Sequence, residues 1–319
     1  MQPMTLKHNI ITRRFIEEHH DRCSLCNTPF LDHHTTHLGY TKKGKLIYTS
    51  DCCAHELVTT IIRHVYQKRA YKKPTDETVL WRFMDFTKFV SLLKDKSLFF
   101  TRADKFEDPF EGAKGLLKNK PKWDSFYKKH MIEAIRTVPG GSNLNKSDKE
   151  LLSEALKLVD SLNQIGKRQV QETFINCWYE NAHESEAMWK LYTSTLEQGI
   201  AIKTTYKRLY KALHRDPSIY IGHVNYIDYE SRFTGVNESF WYKRKSFEHE
   251  REVRAIVSDH FPKESFGKLV PVNLNDLIEK VYVSPTSAIW FKDLVQDVMA
   301  KYEVDKKLFV SSLKAQPFH

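Results

Sequence analysis

The sequence predicts an α+β fold, with helices inserted into a mixed or antiparallel sheet core and a small cysteine-rich module before it. Three observations support this prediction. Short runs rich in Val, Ile, Phe, Tyr and Trp recur from residue 78 onward, as half-buried strands require. Helical segments separate these runs unevenly, which favours α+β over a regularly alternating α/β sheet. Four of the five cysteines lie close together, within residues 23–53.

The composition is that of a folded globular protein. Of its 319 residues, 41% are hydrophobic and 28% are charged, and the mean hydropathy is −0.54. No apolar run approaches the ~18 residues that cross a bilayer, and the N-terminal residues have no apolar core followed by a cleavage site. We therefore expect a cytoplasmic protein with no membrane partner.

The chain is also basic. It has 50 Lys and Arg residues against 40 Asp and Glu residues, which gives a formal net charge of +10. This excess favours a polyanionic partner such as nucleic acid, although an ordinary basic surface gives the same figure. Residues 114–136 interleave basic side chains with Trp123, Phe126 and Tyr127, a pattern that suits either a nucleic-acid strand or a solvated face with the aromatics turned inward. The oligomeric state stays open.

The first motif is a C-x-x-C knuckle formed by Cys23 and Cys26. A tight turn there directs two thiolates at one point, which suits the tetrahedral coordination of zinc. Turn residues at Gly39 and Gly44 and a short strand over residues 45–48 predict a hairpin that returns the chain to two further cysteines. The predicted ligands of this structural zinc, in a zinc-ribbon-like module, are Cys23, Cys26, Cys52 and Cys53.

The ligand set has alternatives. Because adjacent cysteines normally point in different directions, Cys52 and Cys53 need not both bind the metal, and four histidines compete with them as ligands. A cluster of reduced thiols, or a redox-active C-x-x-C pair, is the alternative to a metal site. The competing histidines are His33, His34, His37 and His55.

A basic helix is predicted after the cysteines. Apolar residues at positions 57, 58, 61, 62 and 65 have helical spacing, and residues 63–73 contain five Lys and Arg residues without an acid. Pro74 then closes the segment. We therefore predict a zinc-ribbon-like module with a basic helix over residues 1–73 and an α+β domain over residues 74–319. The basic helix end suits contact with nucleic-acid phosphates, or simply exposure to solvent.

The larger domain contains both strand and helix patterns. Ser147 and Glu150 have capping-box spacing in front of an apolar stripe, and a second stripe lies over residues 291–302, so both segments are predicted to be helices. Neither a G-x-G-x-x-G nor a P-loop motif occurs, which argues against Rossmann and P-loop nucleotide sites. The predicted strands lie at residues 79–83, 97–102, 173–180, 199–204, 219–229, 253–258, 269–273 and 279–284.

Two arginines lie in the first part of this domain, where a strand, a short helix and a second strand follow each other. That order brings Arg82 and Arg102 near one end of the sheet. Arginine suits diphosphate recognition because its planar guanidinium donates two hydrogen bonds side by side. The alternative for each arginine is a structural ion pair with Asp104 or Asp108.

A second cluster follows the strand predicted at residues 173–180. The strand ends in a polar loop that contains Ser185, and a short helix follows that carries Trp189 and Tyr192. Such a junction can offer hydroxyl groups and an aromatic platform to a ligand. The two aromatic side chains suit a position in the core equally well.

The third cluster contains two carboxylates. Alternation begins at Glu250, so Glu250, Glu252 and Arg254 are expected to share one face of a strand. Two carboxylates on one face are costly unless they are paired with cations or used for function. The alternative is a ladder of ion pairs that also includes Lys245.

Several motifs occur in a fixed order over residues 79–285, namely WRFMDF, FEDPFEG, EAMWKLY, GIAIKT, KSFEHEREVRAI and IEKVYVSP. This succession resembles a bacterial family of domains of unknown function. Its layout is similar to that of ADP-ribosyltransferases, including toxins that modify DNA or RNA with NAD as the substrate. The N-terminal cysteine module lies outside the resemblance.

The resemblance implies roles for particular residues. Glu252 or Glu250 would be the catalytic carboxylate that heads a late strand, and Arg82 would be the arginine of the early strand that holds the diphosphate or ribose of NAD. Tyr192 or Trp189 would stack on nicotinamide. The full set of NAD-binding candidates is Arg82, Arg102, Ser185, Trp189 and Tyr192.

The function implied by the resemblance is an NAD-dependent ADP-ribosyltransferase that acts on a macromolecule, such as nucleic acid, in phage defence or as a toxin. Two alternatives stay open. One is a non-catalytic nucleic-acid-binding or sensor protein of a defence system. The other is a metal-dependent nuclease, although the tight D-x-D or H-x-E spacing of such sites is absent. Its carboxylates would be Asp104, Asp108, Glu250 and Glu252.

Overall fold

The computed structural model describes residues 22–30, 35–65, 71–137, 146–213, 218–235, 238–259, 265–315 and 317–318. The chain divides into two compact units, Met1–Ala70 and Tyr71–His319. Among the helices of the described ranges, none combines the length and the apolar character needed to cross a bilayer.

A three-stranded antiparallel sheet forms the N-terminal unit. Its strands are β1 (Thr35–Thr41), β2 (Leu46–Ser50) and β3 (Leu57–Val65), with β1 in the centre. The predicted hairpin joins β1 to β2 through a turn at Gly44, whose φ of 72° is a conformation that favours glycine. A small apolar core packs here, formed by Cys23, Phe30, Leu38 and Tyr48.

Strand β3 stands where a helix was predicted over residues 55–65, so that prediction is wrong. The strand reads LVTTIIRHV, and most of its residues are Val, Thr or Ile, which are branched at Cβ. Such side chains lose rotamer freedom in a helix and pack well on a pleated sheet. Strand β1 also offers an edge along which β3 pairs antiparallel over its whole length. A short 3-10 turn, Ala54–Glu56, precedes the strand.

The C-terminal unit is built on a large sheet of nine described strands. They are β4 (Val79–Asp85), β5 (Ser97–Arg102), β6 (Thr173–Glu180), β7 (Gly199–Thr205), β8 (Tyr220–His223), β11 (Glu252–Ser258), β12 (Gly267–Pro271), β13 (Lys280–Val283) and β14 (Leu308–Val310). The order is β12-β5-β6-β4-β7-β13-β14, and β11 lies beside β6 with β8 outside it. Within this sheet only β13 and β14 pair in parallel, which confirms the predicted α+β fold with a mixed sheet.

Two further strands, β9 (Asn225–Ile227) and β10 (Tyr242–Arg244), pair in parallel outside this sheet. The strand predicted over residues 219–229 is therefore divided between β8 and β9. Strand β8 pairs with β11, which begins at Glu252, and the N–H of Val224 donates to the carbonyl of Glu252 at 2.9 Å. Because β11 begins at Glu252, its pairing with β8 ends there, and the residues that follow β8 pair with β10 as β9.

Helices pack on this sheet. The described helices are α1 (Phe86–Asp95), α2 (Lys120–Thr137), α3 (Asp148–Glu172), α4 (Glu186–Tyr192), α5 (Tyr206–Leu213), α6 (Leu274–Leu277) and α7 (Ile289–Lys301). The predicted capping box begins α3, since the Ser147 hydroxyl accepts from the N–H of Glu150 and the Glu150 carboxylate accepts from the N–H of Ser147. Helices α1, α5 and α7 contribute Phe89, Leu209 and Phe291 to the main core.

Candidate functional site

The large sheet opens beside β6. Along one edge, β6 pairs with β11 over nearly its whole length. Along its other edge, β5 pairs only with residues 174 and 175, and β4 pairs only with residues 179 and 180. In the described chain, residues 176–178 have no strand beside them on that edge. The sheet therefore has a gap between β4 and β5.

A cavity of 520 Å³ lies at this gap, and we refer to it as the first cavity. Its walls come from the strands β4, β5, β6 and β12, from the helices α1 and α4, and from the segment that leads into β11. The fold thus brings together side chains from distant parts of the sequence. Four of the predicted site residues line the cavity: Arg82, Tyr192, Glu250 and Glu252.

Arg82 brings a positive charge to the first cavity. One guanidinium nitrogen, Nη1, donates to the carbonyl of Cys177 at 2.7 Å, and the guanidinium lies 5.9 Å from the centre of the Trp178 ring. Within the described chain, no carboxylate forms an ion pair with Arg82. Burial without a counter-ion lowers the pKa of this arginine. An anionic ligand would supply the missing charge.

The two glutamates reach the cavity from different elements, which corrects the prediction that they share a strand face. Glu250 ends a 3-10 helix, Lys245–Glu250, and Glu252 begins β11. Between them, Arg251 has a φ of 39°, in the left-handed region that non-glycine residues seldom adopt. This turn changes the chain from helix to strand at a single residue. Strained backbone of this kind is concentrated at functional sites.

Cations anchor both glutamates. Oε2 of Glu252 accepts from Arg254, at 3.0 Å from Nε and 2.8 Å from Nη2. Oε2 of Glu250 accepts a close hydrogen bond from Nζ of Lys243, which also lies 3.8 Å from Oε2 of Glu252. Oε1 of Glu250 receives no hydrogen bond from the described chain, so that oxygen is available to a ligand in the cavity.

Glu252 is held in its ionised form. Burial opposes ionisation, but Arg254, Lys243 and the Cys177 thiol together lower the pKa of the carboxyl. The backbone is also fixed, since the N–H of Glu252 donates to the hydroxyl of Tyr226 at 2.7 Å. The result is a negative charge at a set position on the cavity wall.

Arg254 connects the FEDPFEG motif to Glu252 through ion pairs. Its guanidinium is completely buried, and besides Glu252 it pairs with Glu111 through hydrogen bonds of 2.6 and 2.8 Å. Nη1 also donates to the carbonyl of Phe240 at 2.7 Å. Although burial opposes it, the two carboxylates raise the pKa of Arg254. One cation from one motif is therefore paired inside the protein with two carboxylates, one from each motif.

The rest of the FEDPFEG motif holds Glu111 in place. Gly112 has a φ of 73°, and a Cβ there would lie 2.4 Å from a ring carbon of Phe240, so glycine is required on both counts. Asp108 accepts from Nη2 of Arg244 at 2.7 Å. Contacts of Asp108 before Glu111 and of Gly112 after it therefore fix the loop that carries Glu111.

Three predicted NAD-binding residues lie outside the first cavity. Arg102 makes the alternative ion pair, with hydrogen bonds of 2.7 and 3.1 Å to Asp104. Ser185 caps α4 by accepting from a backbone N–H of that helix at 3.4 Å. Trp189 is completely buried in an aromatic cluster, so it presents no ring face to a ligand.

Sequence reasoning missed Lys243, Glu111 and Cys177. Lys243 lies two residues before the KSFEHEREVRAI motif, and Glu111 lies within FEDPFEG. FEDPFEG is acidic and the run Lys243–Lys245, which leads into the second motif, is basic, which was a signal that the two segments pair. Nothing in the sequence marked Cys177 as a residue of the cavity wall.

The carboxylates of the nuclease alternative do not form a metal site in the described chain. Asp104 and Asp108 each pair with an arginine, and Glu250 and Glu252 pair with the cations described above. Within the described residues, the cysteine cluster is the one grouping of three or more side chains suited to a metal.

Two basic segments were predicted to bind nucleic acid, residues 63–73 and 114–136, and the structure describes the first only in part. Residues 66–70 lie outside the described residues. On α2, Trp123 is buried whereas Phe126 is 55% exposed. These two aromatics therefore do not form one stacking platform.

Four thiols converge in the N-terminal unit. The sulfur atoms of Cys23, Cys26, Cys52 and Cys53 all lie within 4.8 Å of one another, and Sγ of Cys26 lies 3.6 Å from Sγ of Cys52. Four sulfurs bound tetrahedrally to zinc at about 2.3 Å would lie about 3.8 Å apart. The donor atoms and their spacing therefore fit zinc, and the two adjacent cysteines point at the same centre.

The histidine alternatives do not join this cluster. His33 and His34 lie outside the described residues. Nε2 of His37 and of His55 instead lie near carboxylate oxygens, at 3.5 and 3.4 Å respectively. Neither histidine belongs to the group of converging ligand atoms.

The thiols differ in how readily they ionise. The hydroxyl of Thr28, 3.1 Å from Sγ of Cys26, lowers the pKa of the Cys26 thiol to about 6. Burial and the neighbouring thiols raise the pKa of Cys53 to about 12. A shared cation would favour ionisation of all four, because only thiolates are strong metal ligands.

No protein family and no curated protein matches the sequence. Among solved structures, Thermus sp. 2.9 DarT in complex with carba-NAD+ aligns over 76% of this chain and 100% of its own, at 9% identity and a TM-score of 0.34. The complex of the same protein with NAD+ aligns over 77% of this chain and 100% of its own, at the same identity and TM-score. The same protein in complex with ADP-ribosylated ssDNA aligns with 76% of this chain and 98% of its own, at 9% identity and a TM-score of 0.33. A likeness at this level assigns neither a fold nor an activity.

We expect Glu111→Gln to lower the free energy of unfolding of the C-terminal unit by about 3 kcal/mol, because it leaves the buried Arg254 with one carboxylate instead of two. Chemical denaturation followed by tryptophan fluorescence measures this loss. Glu230→Gln is the matched control, since Glu230 pairs with Lys118 on the surface, where an ion pair contributes less than about 1 kcal/mol. Equal losses in the two variants would contradict the role given to Arg254.

Proposed function

We propose that the C-terminal unit is an NAD-dependent ADP-ribosyltransferase and that NAD reacts in the first cavity. One observation carries the proposal. The cavity is lined by two anchored glutamates, Glu250 and Glu252, and by Arg82, which has no carboxylate partner in the described chain. A site for NAD requires both positive and negative side chains, because the diphosphate of NAD is anionic and its reacting ribose carbon becomes cationic.

The glutamates suit the reacting end of NAD. When the bond between C1′ of the ribose and the nicotinamide nitrogen breaks, the electron pair leaves with nicotinamide and positive charge develops on the ribose, as in glycoside cleavage. A carboxylate beside C1′ stabilises this charge more in the transition state than in the ground state. The nucleophile of the acceptor then bonds to C1′ and loses its proton.

We assign Glu252 as the principal catalytic carboxylate and Glu250 as its helper. Glu252 is the better fixed of the two, since Arg254 holds its side chain and Tyr226 its backbone. Oε1 of Glu250, which is free of hydrogen bonds from the described chain, is placed to accept one from a ribose hydroxyl or from the acceptor.

Arg82 suits the diphosphate. Within the described residues, only one of its guanidinium nitrogens donates a hydrogen bond, to the carbonyl of Cys177, so further N–H groups can bind phosphate oxygens. Tyr192 lines the same cavity and offers a ring on which nicotinamide can stack. Burial raises the pKa of Tyr192, which keeps its hydroxyl neutral.

We propose nucleic acid as the acceptor, which would suit a toxin or a phage-defence protein. Phe99 and Leu269 line the first cavity while 45% and 51% exposed, so they lie at its mouth. Phe266, just before edge strand β12, is 74% exposed, and Nζ of Lys105 lies 5.1 Å from its ring centre. Exposed rings beside basic side chains bind single strands through base stacking and phosphate contacts.

We propose that the cysteine cluster holds one structural zinc ion. Four thiolates complete the tetrahedral shell and leave no position for a catalytic water. The described apolar core of the N-terminal unit is small, so a metal would add the stability that the core does not supply.

The proposed activity is tested by mixing the full chain with NAD and measuring released nicotinamide, with and without a single-stranded oligonucleotide. We expect the oligonucleotide to accelerate release and to gain the mass of one ADP-ribose. Absence of release with DNA and RNA strands of varied sequence would contradict the proposal. Cleavage of the strands that requires a divalent metal would instead favour the nuclease.

We expect Glu252→Gln to lower the rate of nicotinamide release at least about a hundredfold, because a lost transition-state interaction of this kind is worth ~3 kcal/mol. Glu250→Gln should cause a smaller loss. Glu248→Gln is the control, since Glu248 is exposed on the same 3-10 helix and does not line the cavity. Thermal melts of all three separate lost activity from lost folding, and full turnover by both cavity variants would refute the site.

We expect single-stranded oligonucleotides to bind with an affinity that falls as salt rises, because basic side chains release counterions from phosphates. Phe99→Ala and Phe266→Ala should each weaken binding about fivefold or more, since a base stack is worth ~1–3 kcal/mol. Trp290→Ala is the control, because Trp290 is 60% exposed on α7, outside the cavity. Fluorescence anisotropy at two salt concentrations measures the affinity of each variant for the oligonucleotide. Equal losses of affinity in all three variants would contradict a role for this surface in binding.

We expect one zinc ion per chain by elemental analysis of protein purified without added metal. The double variant Cys23→Ser/Cys26→Ser should lose it, because two ligands cannot hold zinc tightly. Cys177→Ser is the control and should retain it, since Cys177 lies in the other unit. A wild-type protein that is metal-free and has an intact N-terminal unit would rule out this role.

A further inference from the structure

A second cavity, of 410 Å³, lies in the C-terminal unit and shares no lining residue with the first. It lies between the segment after Gly112, the beginning of α2 and the middle of α3. The transfer reaction proposed above does not use it. Six of its lining residues determine what it can bind: Lys114, Trp123, Asn163, Gln164, Lys167 and Phe233.

Lys114 places a positive charge in this cavity and forms no ion pair with a described residue. The side chain is half-buried, Nζ donates to the carbonyl of Leu162 at 3.0 Å, and it lies 4.5 Å from the centre of the Trp123 ring. Neither partner is an anion, and no ion pair of the described residues includes Lys114. Removing an ammonium group from water is costly, and burial lowers the pKa of this lysine. A bound anion would offset that cost.

The other charged groups of the cavity also favour an anion. Lys120 and Lys167 line it, and the one acidic residue in its lining is Asp160. Asp124, just outside, pairs with Lys120 at 2.5 Å. With Asp124 included, which also attracts Lys114, three positive charges face two negative charges, so a net positive charge remains.

The uncharged walls suit a planar ring that forms hydrogen bonds. The amides of Asn163 and Gln164 have no hydrogen-bond partner in the described chain, and each offers a donor next to an acceptor. Such amides match the donor and acceptor pattern at the edge of a nucleobase. Phe233 adds an aromatic ring to the same lining, on which a base can stack.

Two glycines keep this space open. A Cβ on Gly166 would lie 2.7 Å from Nζ of Lys114, and one on Gly115 would lie 3.2 Å from Cβ of Phe233. Gly166 stands in the interior of α3, where glycine is less stable than alanine. The glycine thus weakens the helix while it leaves room for the Lys114 ammonium group.

We infer that the second cavity binds a 5′-nucleotide, with its phosphate on Lys114 and its base against Phe233 and the two amides. This chemistry occurs both in a free mononucleotide and in a unit of a nucleic-acid strand. The inference stands independently of the transferase proposal, because it rests on different residues and its test measures binding alone.

Titration calorimetry of the full chain tests it, with the four ribonucleoside 5′-monophosphates, inorganic phosphate and a short single-stranded oligonucleotide as probes. We expect at least one monophosphate or the oligonucleotide to bind more tightly than inorganic phosphate. Lys114→Gln should weaken that binding at least about tenfold, because it removes a charge-assisted hydrogen bond. A loss for the monophosphate indicates a free nucleotide as the ligand, and a loss for the oligonucleotide alone indicates a strand.

Three further variants keep the test decisive. Gly166→Ala should also weaken binding by displacing Lys114, without lowering the melting temperature, since alanine favours the helix. Lys118→Gln should bind as wild type, because Lys118 pairs with Glu230 outside the cavity. Arg82→Gln, in the first cavity, identifies any nucleotide binding that takes place there instead. No binding at millimolar concentrations, binding that both second-cavity variants leave unchanged, or binding lost only in Arg82→Gln would overturn the inference.

Discussion

Arg254 carries a positive charge at a position from which water is completely excluded, and the C-terminal unit is arranged around it. Its two counter-ions are Glu252, two residues before it, and Glu111, which is 143 residues away in sequence. Leaving either carboxylate or the guanidinium unpaired would cost about 3 kcal/mol or more. Folding must therefore bring the FEDPFEG loop to the start of β11, and in doing so it fixes the carboxylate that faces the first cavity.

The gap in the sheet and this buried ion cluster together define the site. Because β4 and β5 pair with opposite ends of β6, a cavity forms between them, and Arg82 extends into it toward the carbonyl of Cys177. The glutamates hold their own cations and form no ion pair with Arg82. Positive and negative groups therefore stay separate within one cavity, as an extended substrate with an anionic centre and a cationic reacting carbon requires.

Local patterns in the sequence predicted strands such as β6 with its observed bounds, because runs of apolar and aromatic residues reflect burial on a pleated surface. The same patterns gave the wrong prediction for β3. Its apolar residues have helical spacing, but its Cβ-branched side chains favour a strand, and the strand forms by pairing with β1. Motifs selected Arg82, Glu250 and Glu252, which the fold brings to one cavity. They could not separate these from Arg102 or Trp189, whose ion pair and burial depend on neighbours that only the fold supplies. Glu111 was missed for the same reason.

A crystal structure of the Glu252→Gln protein with NAD would test most directly whether NAD reacts in the first cavity. With turnover slowed, the intact dinucleotide should be visible there. We expect its diphosphate within hydrogen-bond distance of Arg82 and its nicotinamide ribose beside residues 250 and 252. Density for NAD at another place, or a first cavity without NAD at a saturating concentration, would contradict this account of the site.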